Sequence, residues 1–138
     1  MFEHCLYFNT TSLARQLERE WVTAFKPFGL TPSQAFMLRV ILDNPKSYQN
    51  ELAREMNITK PTASRGLDGL EKLGLIERHS SIDDAREVLI HPTRKAKLMK
   101  ENLNLASGEV TKRLKKLLGT NEFDDVVLKL RSISTALK

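Results

Sequence analysis

Glu51-Leu-Ala-Arg-Glu-Met-Asn57-Ile-Thr-Lys-Pro-Thr-Ala-Ser-Arg65-Gly-Leu-Asp-Gly-Leu-Glu-Lys-Leu-Gly74-Leu-Ile-Glu-Arg78 reads as two short helices around a tight turn, running into the first strand of a hairpin. Leu52, Ala53 and Met56 make one buried face, and Asn57 stands where the chain must leave the helix through positive φ. Ile58 packs into the corner. Thr59 caps the second helix through its hydroxyl, with Lys60 and Pro61 in the first turn, where a missing N–H costs little. Small Ala63 and Gly66 mark the place where the two helices cross closely, and Leu67, Leu70 and Leu73 continue the inward stripe at three- and four-residue spacing. The outward face carries Lys60, Pro61, Thr62, Ser64, Arg65 and Asp68. This is the pattern of a helix-turn-helix. A capped second helix with short polar side chains and one Arg in its first turns suits entry into a major groove; an ordinary helical hairpin with a solvated polar face is the alternative.

Downstream, Leu75-Ile-Glu-Arg-His79 and Glu87-Val-Leu-Ile-His91 have strand composition and are separated by the polar Ser-Ser-Ile-Asp-Asp-Ala-Arg86. A hairpin with a charged tip directly behind such a helix is a wing. Upstream, Thr31-Pro-Ser-Gln34 is a capping box with Pro at the first helical position and Leu30 as a staple. It predicts a helix over about 32–43 that buries Phe36, Leu38, Ile41 and Leu42 and stops at Asp-Asn-Pro45. The next helix is expected near Tyr48, with Ser47 as its cap.

The flanks are amphipathic. Leu6, Leu13, Leu17, Trp21, Ala24, Phe25 and Phe28 recur at mostly helical spacing, predicting one helix that ends before Pro27. After Pro92 and the cap Thr93, the apolar positions Ala96, Met99, Leu103, Ala106, Val110, Leu114 and Leu117 repeat to about Leu118. Roughly 26 residues at helical rise span ~39 Å, more than a small domain is wide. Gly119-Thr-Asn121 breaks this helix, and a last one, about 121–137, presents Phe123, Val126, Val127, Leu130, Ile133 and Leu137. These elements lack enough surface to cover within one protomer, and a symmetric homodimer supplies it. The expected fold is therefore mostly α with a small β-hairpin wing: a winged helix-turn-helix DNA-binding domain at 31–92, and a helical dimerisation region from 1–30 and 93–138.

A chain of 138 residues is one domain by length and long enough to bury a real core. Its 22 Lys and Arg exceed 17 Asp and Glu, and the net +5 fits a polyanionic partner without specifying one. The single Cys excludes an internal disulfide framework and a Cys-rich zinc site, and it fits a reducing compartment. The opening Met-Phe-Glu-His-Cys lacks the features of a secretory signal, and no apolar run approaches the ~20 residues of a membrane span; the expectation is cytoplasmic, without a membrane partner. His4, Cys5, His79 and His91 have no ligand spacing, so neither a metal nor another cofactor is expected. Without a Ser/His/Asp set, a phosphate-cradling Gly loop or paired carboxylates, no enzyme is expected either.

Several motifs match in register over about 29–100. Gly29-Leu-Thr-Pro-Ser-Gln34, Glu51-Leu-Ala-Arg-Glu-Met56, Leu70-Glu-Lys-Leu-Gly-Leu-Ile-Glu-Arg78, and Asp84-Ala-Arg86 followed by Thr93 together resemble the MarR family of bacterial transcriptional regulators. Pro92, Ala96 and Ala85 depart from that family's usual Leu, Gly and additional wing Arg. Gly66 and Gly69 fall inside the second helix, where each costs about 1 kcal/mol relative to Ala. The resemblance implies a homodimeric regulator on a roughly palindromic operator of double-stranded DNA, most often a repressor, released by a ligand or by oxidation.

Carried over position by position, the resemblance makes Thr62, Ser64 and Arg65 candidate base-edge contacts, with Lys60 and Pro61 beside them. An Arg bidentate to guanine carries about 1–3 kcal/mol of discrimination, whereas a phosphate contact by Arg65 would carry none. Arg86 would reach a minor groove or its phosphates, and Asp84 would orient an Arg or close the wing turn, since a carboxylate facing DNA is repelled. Gln49 and Asn50 are candidates for phosphate, with capping or solvation as alternatives. Cys5 resembles the N-terminal Cys of the family's peroxide-sensing branch; its alternative is a small apolar residue in an interface. Small aromatic effectors bind between the dimer helices and the winged domain in this family, and Trp21, Phe25 and Phe36 are candidates to line such a pocket or to be plain core. The rival to DNA binding is a winged-helix module that docks a protein and has little DNA affinity.

Overall fold

Four of the α-helices among the described residues begin where a side chain accepts from one of their first free N–H groups. In the computed structural model, which describes residues 1–84 and 86–138, the Cys5 Sγ accepts from the Phe8 N–H (3.5 Å) at the start of α1, Leu6–Phe25. A single 3-10 turn, Lys26–Phe28, leads to Gly29 at φ 69°, a left-handed corner that glycine takes without strain. Thr31 then opens α2, Pro32–Asp43, through a reciprocal box: its Oγ1 accepts from the Gln34 N–H (3.2 Å) and the Gln34 Oε1 accepts from its own N–H (3.0 Å). After β1, Ser47–Tyr48, come α3, Gln49–Glu55, and α4, Lys60–Lys72, the latter capped by Thr59. The strands β2, Ile76–Ser80, and β3, Val88–Pro92, precede α5, Arg94–Leu118, capped by Thr93, and α6, Thr120–Ala136.

The sheet is antiparallel with order β1-β3-β2. Arg78 stands opposite Ile90 and Ile76 opposite Pro92, so the strand positions that alternate inward meet the helices. The core joins Leu38 and Ile41 of α2, Leu52 of α3, Leu67 and Leu70 of α4, Ile76 and Ile90 of the sheet, and Leu103 of α5. Phe25 brings the end of α1 into the same cluster. At the junction, the Thr93 Oγ1 donates to the Gly74 carbonyl (2.8 Å) and the Lys95 Nζ to the Leu73 carbonyl (3.1 Å), which fixes the long helix to the turn between α4 and β2.

Four expectations are corrected. Ser47 does not cap α3: Tyr48 holds that position without a side-chain hydrogen bond, and Ser47 is buried in β1 opposite Ile90. Pairing with an edge-exposing hairpin outweighs a local cap there, and a two-residue strand has no periodicity to be recognised by. Phe36, expected inside, is 38% exposed, and Leu73, expected in the inward stripe of α4, is 41% exposed at its C-cap. Gly66 makes room for the Met37 side chain of α2, so the close approach is to α2 rather than to α3.

Candidate nucleic-acid interface

The turn between α3 and α4 is built by one residue's backbone. Asn57 has φ 56°, the left-handed conformation that Asn tolerates better than most side chains. That conformation lets the Asn57 N–H reach the Arg54 carbonyl (3.1 Å) and the Ile58 N–H the Ala53 carbonyl (3.0 Å), the paired bonds that close a helix and redirect the chain. Two residues on, the Thr59 Oγ1 accepts from the Thr62 N–H (3.3 Å), and α4 sets off in its new direction.

On α4, Ala63, Leu67 and Leu70 are buried while Lys60, Pro61, Thr62 and Arg65 are exposed and Ser64 is half-buried. The Thr62 Oγ1 accepts from the Thr59 hydroxyl (2.9 Å) and from the Arg65 Nη2 (3.4 Å), so the guanidinium is leaned toward the helix start. Of the two residues opening α3, Asn50 is exposed and Gln49 half-buried.

The wing tip is held by a carboxylate. The Arg86 N–H donates to Asp84 Oδ1 (2.9 Å) and the Arg86 Nε to the same oxygen (3.2 Å), while the Arg86 side chain stays 91% exposed. The backbone N–H first, and the guanidinium second, hold the Asp84 carboxyl below its ordinary value of 3.8. Ala85, one of the departures from the family pattern, lies outside the described residues. At the other end of the hairpin the Arg78 Nη2 donates to Asp68 and to Glu71 (3.0 Å), two carboxylates of α4. Hydrogen bonding to Arg78 lowers the Glu71 pKa, and the same bond to Glu71, ahead of that to Asp68, raises that of Arg78. Sequence reading passed over Arg78: a pair between a helix and a strand has no fixed spacing to betray it.

A second polar group lies between the long helices. The buried Ser107 Oγ accepts from the Trp21 Nε1 (3.0 Å) and from the Arg39 Nη1 (3.0 Å), and the Arg39 Nε donates to Asn104 Oδ1 (2.8 Å). Burial pushes the Arg39 pKa down, and its guanidinium lies 5.0 Å from the centroid of the Phe36 ring. Trp21 and Phe36 line a cleft of about 430 Å³ with Leu17 and Pro32. Phe25 does not join them: it is fully buried with the Phe36 ring edge-on to it, 5.8 Å between centroids, which is the plain-core alternative for it. Cys5 is exposed in the protomer. Among the described residues no group of three His, Cys, Asp or Glu is arranged to hold a metal, and no helix is long and apolar enough to cross a membrane.

Two helices joined through a left-handed residue, the second capped and polar on its outer face, with a hairpin directly behind, define a winged helix-turn-helix protein. The MarR family model matches residues 28–87. The HTH-type transcriptional regulator MgrA of Staphylococcus aureus is 30% identical over 125 residues, with 83% of this chain and 85% of that one covered. Among solved structures, S. aureus MepR in complex with DNA superposes with a TM-score of 0.89 at 21% identity, covering 99% of this chain and 100% of that chain. The transcriptional repressor CouR, bound to a 23-mer DNA duplex, does so with a TM-score of 0.83 at 27% identity over 96% and 94%. The chain belongs to the MarR family, and it is a DNA-binding transcriptional regulator rather than an enzyme.

Proposed function

We propose that this protein is a cytoplasmic homodimer that binds a roughly palindromic operator with one α4 in the major groove of each half-site and a wing tip beside it. The observation that carries the reading is the pairing of an exposed Arg65 on a capped helix with an exposed Arg86 held out by Asp84. Lys60, Pro61, Thr62 and Ser64 accompany Arg65 at the base edges, and Gln49 and Asn50 meet phosphates from the start of α3. Residues 31–92 form the reading domain. Residues 1–30 and 93–138 form the dimerisation region, because α6 packs on α5 while its own apolar residues stay half-buried or exposed. The regulator acts as a repressor, and a small aromatic effector in the cleft beside Trp21 and Phe36, or oxidation of Cys5, relieves it.

Mobility shifts on the DNA upstream of the protein's own gene, repeated over a salt series, test this. Specific binding with a steep negative salt slope is expected. Arg65→Ala relaxes sequence preference by about 1–3 kcal/mol at one position, whereas Arg86→Ala weakens binding to operator and random DNA alike. No binding at low salt would instead favour a protein-docking module, and equal losses on both DNAs for both variants would refute the division of roles.

A further inference from the structure

Arg78 sits where the wing strand meets the recognition helix. Its side chain is 19% exposed, and one nitrogen, Nη2, serves two carboxylates, Asp68 and Glu71, spaced three residues apart on α4. Asp68 in turn lies three residues beyond Arg65, on the same helix face. In sequence, Arg78 is eight residues before Arg86 in the same hairpin. The clamp therefore joins the element carrying one DNA contact to the element carrying the other. Two carboxylates against one guanidinium leave this junction net negative, an arrangement poorly suited to attracting phosphate but well suited to holding two elements in one register.

We propose that Arg78 is a positioning residue for operator recognition: by clamping Asp68 and Glu71 it locks β2 against α4 and fixes the spacing between Arg65 and Arg86. The inference rests on the reading of α4 and the wing as the DNA-contacting pair. Free to pivot, the hairpin would still offer a cation to any duplex, but the base edges under Arg65 and the groove under Arg86 would no longer be met together. What the clamp sets is specificity rather than generic affinity.

Charge and geometry are separable because the clamp can be broken from either side. Arg78→Gln removes a positive charge, and Asp68→Asn combined with Glu71→Gln removes two negative ones. If the clamp positions, both variants lower the ratio of operator to random-DNA affinity, by about tenfold, the discrimination of roughly one base pair. Generic binding meanwhile moves in opposite directions, weaker for Arg78→Gln and tighter for the double variant. Arg78→Lys, which keeps the charge but ends in a shorter side chain with an ammonium that does not reach the Nη2 position between the two carboxylates, falls between wild type and Arg78→Gln. Ratios are measured by titration of the full-length protein, well below the Tm of each variant. An unchanged ratio in both breaks, with wild type specific, overturns the role of Arg78 alone; a wild type without specificity overturns it together with the DNA-contacting assignment. Should Arg78→Gln fail to fold, the double variant decides by the same ratio.

Discussion

Arg86 and Asp84 show how a carboxylate can serve a surface proposed to face a polyanion. Asp84 takes the Arg86 backbone N–H and its Nε, closing the turn and steering the guanidinium outward, so the negative charge is spent on the protein's own donors. Asp84 is more acidic folded than unfolded, so its contribution is present above the ordinary aspartate value of 3.8 and is lost as pH falls through the lower folded value. The protection of the Arg86 amide against exchange, taken relative to the intrinsic rate at each pH, is expected to fall as pH drops below the ordinary aspartate value of 3.8 in the wild type but not in Asp84→Asn. Protection already lost near neutrality would contradict the assignment. Asp84 and Arg86 were legible in the sequence as a spaced pair; which atoms they share was not, because a turn's conformation decides it.

At the scale of the element, the caps and the turn were legible because their chemistry is local. Thr31, Thr59 and Thr93 each cap a helix, and Asn57 takes the positive φ its position demands. What escaped depends on partners remote in sequence. β1 is a strand only because β3 passes beside it, and the polar group of Trp21, Arg39, Asn104 and Ser107 joins three helices. The two glycines of α4 separate these cases. A Cβ on Gly66 would lie 2.6 Å from Met37 Cε and 2.9 Å from its Sδ, and Met37 is buried, whereas one on Gly69 would meet the end of Gln34 at 3.3 Å. Gly69→Ala is therefore expected to raise stability by up to about 1 kcal/mol through helix propensity. Gly66→Ala adds an overpacking cost of about 1–3 kcal/mol to the same gain and comes out neutral to destabilised. Urea midpoints at constant m-value check this, and equal stabilisation by both would remove the packing role of Gly66.

For the whole molecule, the long helices carry the argument for two copies. Leu117 is 80% exposed and Leu137 83% exposed, and Leu13, Leu117, Val126 and Leu130 share an apolar groove of about 390 Å³ between α1, α5 and α6. A protomer alone leaves that groove to water, whereas in the proposed homodimer a two-fold partner of the same chain would cover it and set two copies of α4 apart by a fixed distance. The helical periodicity made the excess of apolar surface legible; how a second copy seats on it depends on shape, which no linear pattern encodes. Dimerisation and reading thus become one property, since half-site spacing is set by how the two protomers meet.

The most direct measurement is a binding titration, with stoichiometry, of the full-length protein on its selected operator and on the same duplex with one half-site randomised. Two protomers per operator are expected, with affinity falling at least about tenfold when one half-site is lost, as several mismatched base pairs require. Equal affinity for the two duplexes, or one protomer bound per operator at full affinity, would contradict a dimer that reads DNA through paired copies of α4 and the wing.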